Sequence, residues 1–139
     1  MSDPSFAMQK AVYDQLRASY DVRLHVGDRI YHDVPPPPTG DVRAQKPYIT
    51  IGEDQVLADK ADCMDGAEII LTIHGWALSY PQSKQLSAAI NEALDVNYDM
   101  ALVGHRLIEI ELEDIRHLSE PDGITRHAVV TFRALTEKE

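Results

Sequence analysis

The stretch HRLIEIELEDI, His105 to Ile115, sets a carboxylate at every second position from Glu109 to Glu113, with an aliphatic residue between neighbours. Successive side chains of a β-strand point to opposite faces, so a repeat of two predicts a half-buried strand. Ile108, Ile110 and Leu112 are expected to face a core, and Glu109, Glu111 and Glu113 to share the other face. Asp114 breaks the pattern. In a straight strand it would fall on the apolar side, so either the register shifts through a bulge or the core-facing part ends at Leu112.

The residues around this strand give the order α-β-β-β-α-β-β. Asp3 as N-cap and Pro4 in the first turn open a helix that carries Met8, Ala11, Val12 and Leu16 on one face and ends near Tyr20. RIYHDV, Arg29 to Val34, is a short β-rich run stopped by four prolines, which cannot donate to a ladder. Tyr48 to Ile51 are strong strand formers between Pro47 and Gly52, and an acidic loop is expected over Ala58 to Gly66. In AEIILTIHGWALS, from Ala67, Ile69, Leu71 and Ile73 alternate with Ile70, Thr72, His74 and Trp76, so both faces are expected to be at least partly covered. Ser79 and Gln82 have capping-box spacing with Pro81 in the first turn. Leu86, Ala89, Ile90, Ala93 and Leu94 then follow a helical repeat that gives way near Val96. EPDG, Glu120 to Gly123, predicts the turn of a last hairpin, whose outgoing strand puts Ile124, Ala128, Val130, Phe132 and Ala134 on one face. The expected architecture is one α+β domain over residues 1–139: a mainly antiparallel sheet with two helices packed on one face.

Composition excludes several classes. With 139 residues, 44% hydrophobic and 26% charged, the chain can bury a core. No apolar run approaches the roughly 20 residues of a membrane helix, the first residues lack a signal-peptide pattern, and one cysteine, Cys63, permits no internal disulfide. These features predict a cytoplasmic setting. A net charge of −10, from 23 acidic against 13 basic residues, predicts a surface that repels nucleic acid rather than reading it.

Motifs of catalysis are missing. There is no phosphate-cradling glycine loop, no nucleophile elbow and no pair of histidines with metalloprotease spacing. Ala61 to Gly66 imitates a calcium loop only at Asp65 and Gly66, and Cys63 has no neighbouring base to activate it. His25, His32, His74, His105, His117 and His127 lack ligand spacing, and His74 with Trp76 are expected as core under a helix rather than as a pocket wall. Neither an enzyme nor a cofactor is expected.

RIY at Arg29–Tyr31, Pro35 and Pro36, PYITIGED from Pro47, IHGW from Ile73, GHRL from Gly104 and EPDGITRHAVVTFRAL from Glu120 together resemble the DUF3168 family. That family comprises tail-completion, or tail-terminator, proteins of long-tailed bacteriophages, prophages and gene transfer agents. The resemblance runs over almost the whole chain and rests on several weak motifs in the right order. It implies a structural virion protein: a homo-hexameric ring at the head-proximal end of the tail, assembled in the host cytoplasm. Such a ring caps the tube of major tail protein, stops its polymerisation and docks to the head-tail connector (stopper), while DNA crosses its channel without sequence-specific binding. A stopper or adaptor of the same neck and a small-molecule-binding regulatory domain are the alternatives.

Within that frame the acid row acquires two expectations. Glu109, Glu111 and Glu113 either line the channel, where their charge keeps the wall from holding duplex DNA, or belong to an outward solvated face. Contacts between subunits or with partners are expected from strand edges and from the segments Pro35–Lys46 and Gln55–Gly66, with Pro35, Pro36, Pro37, Pro38, Arg43, Lys46, Asp59, Lys60, Asp62 and Asp65 as candidates.

Overall fold

The computed structural model describes residues 2–33, 45–59 and 65–139. Helix α1, Ser5–Ala18, buries Met8, Ala11, Val12 and Leu16 as its repeat requires. It stops because Ser19 is extended, and Ser19 Oγ accepts the Val22 N–H at 3.3 Å to start a second helix, α2, Tyr20–Val26. The sequence predicts a single helix to Tyr20; the structure adds α2, which buries Val22 and Val26 and ends at Gly27 with φ +58°.

Strand β1 is only Ile30–Tyr31, and β2 runs Tyr48–Asp59, past the expected stop at Gly52. A bulge between Gly52 and Asp54 lets the strand continue, so Gln55–Asp59 is ladder, not loop. Strand β3, Gly66–Ala77, alternates as predicted, with Ile69, Leu71 and Ile73 buried. Helix α3, Tyr80–Leu94, starts at Ser79, whose side chain accepts the Gln82 N–H at 3.2 Å. The reciprocal bond is displaced by one residue, because Gln82 Oε1 takes the Leu78 N–H at 2.8 Å. Strands β4, His105–Ser119, and β5, Arg126–Lys138, are joined by the predicted turn, in which Gly123 has φ +70°.

The five strands lie in the order β1-β2-β3-β5-β4, with β1 parallel to β2 and every other pair antiparallel. All three helices pack on one face. Helix α3 lies across β3, β5 and β4, while α1 and α2 cover β1 and β2. Phe132, Ile73, Ile90, Leu86 and Ile110 sit fully buried between the layers. The architecture is the α+β single sheet expected from the pattern, and it leaves the other sheet face without helices.

Candidate functional site

The helix-free face is where β4 displays its charges. Register places Glu109 opposite Leu135, Glu111 opposite Arg133 and Asp114 opposite Thr131, so these three acids share that face. Two irregularities set the arrangement, one between Leu107 and Glu109 and one between Leu112 and Asp114. The second resolves the Asp114 anomaly: Glu113 drops out of the ladder, Asp114 takes its place in the row, and Ile115 returns to pack against the core. The first corrects an expectation. Leu107, not Ile108, faces the core, and Ile108 is 39% exposed in the bulge.

Electrostatically the row is only partly balanced. Arg133 on β5 reaches Glu68 of β3 at 3.3 Å and Glu109 of β4 at 3.7 Å, bridging three strands. Glu111 is the direct cross-strand neighbour of Arg133. Its carboxyl is pushed above the usual range by a hydrogen bond and like charge from Glu109, with Arg133 pulling the other way. The pair Arg106–Glu137 closes the same end of the sheet.

The sheet edges differ. On the outer side of β4, Asp95 Oδ1 accepts the Leu112 N–H at 2.9 Å and the Val96 N–H donates to Ile110 O at 3.1 Å. The middle of that edge is therefore occupied by the end of α3, and the flanking bulges distort the rest. At the opposite edge β1 pairs only with Ile49 and Thr50, so among the described residues β2 has no strand partner on that side from Ile51 to Ala58.

The far end of the helix-free face carries a group that sequence reasoning missed. Trp76 is not under a helix; it lies on this face, stacked on His127 with centroids 3.9 Å apart and planes at 12°, and its Nε1–H donates to Thr50 Oγ1 at 2.9 Å. His127 Nε2 is 2.6 Å from His74 Nδ1, His127 Nδ1 is 2.7 Å from Glu120 Oε1, and His74 Nε2 is 3.1 Å from Glu53 Oε1. His74 and His127 are 53 positions apart, and only the β3–β5 register brings them together. The motif IHGW, with a histidine and a tryptophan on one strand face, was the available signal. Among the described residues no three His, Cys, Asp or Glu side chains are arranged to hold a metal ion.

The loop candidates divide. Pro35, Pro36, Pro37, Pro38, Arg43, Lys60 and Asp62 lie outside the described residues, as does Cys63 of the calcium-like segment. Lys46 precedes β2 and rides 5.7 Å over the Tyr48 ring. Asp59 and Asp65 flank the opposite end of the strand, roughly 35 Å away at about 3.3 Å per residue. There the Asp65 carbonyl accepts the Lys138 N–H at 2.9 Å, and its Oδ1 accepts the Ser2 N–H at 3.2 Å. The structure thus brings Asp59 and Asp65 to the end of the sheet that carries Glu68, Glu109 and Glu111, and puts Lys46 at the other.

A family model described as tail completion protein gp17 matches residues 10–137. No curated protein sequence matches the chain. Among solved structures, a chain from the virion of a native gene transfer agent particle is 26% identical, with 99% of each chain covered at a TM-score of 0.85. The bacteriophage SPP1 gp17 protein is 17% identical, with 94% of this chain and 88% of that one covered at a TM-score of 0.57, a likeness of fold.

Proposed function

The chain belongs to the tail completion protein gp17 family, and from that membership we propose that it forms a ring terminating the tail at its head-proximal end. Its role is structural rather than enzymatic, in keeping with the family. In this reading six copies close head to tail, cap the tube of major tail protein, stop its growth and offer the connector a docking surface. DNA then passes through the central channel. The observation that carries the reading is the match over nearly the whole chain to the family, together with end-to-end likeness to a chain of a gene transfer agent virion.

The helix-free face suits the channel side of such a ring. Helices cover the other face, and Glu109, Glu111 and Asp114 would present six copies of one acidic row to the passing duplex. Duplex DNA carries about one negative charge per 1.7 Å of axis, so an acidic wall repels it where a basic wall would hold it. For contacts between copies, the β4 edge is a poor choice because residues 95 and 96 already use it. The β2 edge from Ile51 to Ala58 offers backbone groups to a neighbour, and a head-to-tail contact needs no self-complementary patch.

Electron microscopy of tail tubes incubated with the purified protein tests the proposal. A six-fold cap on one end only is the expected image. Coating along the tube walls, or absence of the protein from the tubes, would contradict it.

A further inference from the structure

We infer that Glu53, His74, His127 and Glu120 form a proton-loaded clamp, closed when the two imidazoles together carry three ring hydrogens rather than the two they hold when both are neutral. The inference stands on hydrogen-bond counting and is independent of the ring. Glu120 Oε1, His127, His74 and Glu53 Oε1 form one line with contacts of 2.7, 2.6 and 3.1 Å, and each ring uses both of its nitrogens. Ionised carboxylates only accept, so the outer contacts require hydrogens on His127 Nδ1 and His74 Nε2. The central contact joins the two remaining nitrogens and needs one hydrogen more. Two neutral rings carry one each and leave two lone pairs facing; four hydrogens would put two N–H groups head-on. Only three satisfy the line.

The surroundings say where the charge rests. His127 is 7% exposed, and burial pushes its imidazole below the ordinary value, with the Glu120 hydrogen bond opposing and His74 and Arg116 adding to the depression. The three-hydrogen pattern that leaves this buried ring uncharged has His127 donating from Nδ1 to Glu120 and offering its Nε2 lone pair to His74. In that pattern the third hydrogen sits on His74, which donates from both nitrogens, to His127 and to the Glu53 carboxylate, itself 76% exposed. Among the described residues, Glu53 from β2, Glu120 from the hairpin turn and Arg116 from β4 bring charge to the rings, and the helices lie on the opposite sheet face. The Trp76 indole stacks on His127 and at 5.9 Å from His74, a position that favours a cation on the rings.

Closed, the clamp ties the β2 bulge at Glu53 to the turn at Glu120 across β3 and β5. When the third hydrogen leaves as pH rises, His74 has one N–H for two acceptors, and one arm lets go.

Long-range proton–nitrogen spectra of the full chain, recorded from about pH 5 to about pH 9, test this directly. Both rings are expected to move with one common midpoint while His127 keeps its hydrogen on Nδ1, and Glu53→Gln to lower that midpoint by more than about half a unit. Glu92→Gln, on the exposed side of α3, is expected to leave it in place. Separate midpoints for the two rings, a midpoint indifferent to Glu53→Gln, or an equal shift from Glu92→Gln would each overturn the clamp.

Discussion

Gly75 on β3 receives the Leu86 side chain of α3 so closely that a Cβ on the glycine would lie 2.9 Å from Leu86 Cδ2 and 3.2 Å from its Cγ. Leu86 is fully buried and has no solvent into which to turn. Gly75→Ala is therefore expected to destabilise the fold by about 1–3 kcal/mol through overpacking. Urea unfolding measures it, and an unchanged midpoint would mean that α3 can lift without cost.

The Asp95–Leu112 bond both satisfies a backbone donor and blocks a strand edge. Asp95→Ala leaves that N–H unpaired, at a cost of about 1–3 kcal/mol, and reopens the middle of β4 to other chains. Lower stability together with new concentration-dependent aggregation by light scattering is expected. Asp95→Asn retains an acceptor oxygen and should be milder on both counts.

Acid weakens the last hairpin through Asp122, which accepts from the Ile124 and Thr125 N–H groups and from Thr125 Oγ1. The Thr125 side chain, the Thr125 N–H and the Ile124 N–H hold this carboxyl down from 3.8 to about 2. A depressed carboxyl stabilises the folded state fully above its ordinary value of 3.8, and that contribution fades as pH falls through about 2. The difference in urea midpoint between the wild type and Asp122→Asn should be constant near neutrality and shrink across that window. A difference that persists below about pH 2 would contradict the assignment.

Reversing the acid row tests the proposed channel role. Glu109→Lys, Glu111→Lys and Asp114→Lys together turn a repelling face into an attracting one and remove one of the two partners of Arg133. Capped tubes should still form, while DNA delivery by the assembled particles falls at least about tenfold and recovers in high salt, as screening requires. Normal delivery from such particles would put the row on an outer wall.

How far the sequence carried these results depends on the range of the interactions involved. The alternation in β4 was readable, and Asp114 announced its own bulge because a charge at a core position has no cheap alternative. The bulge at Ile108 left no such mark, since Leu107 and Ile108 are both apolar and either can face the core. Helix α2 was missed although Ser19 and Asp21 form a plausible start, because seven residues are too few for a convincing repeat. The parallel pairing of β1 and the meeting of His74 with His127 depend on register between distant strands. Nothing local encodes that.

The length distribution of tubes grown from the major tail protein, with and without this chain present, bears on the proposed role more sharply than any structural probe. If the chain terminates tails, tubes should stop elongating once it is added, and each arrested end should carry the protein. Tubes that grow equally long in its presence, with the protein left in solution, would contradict that role.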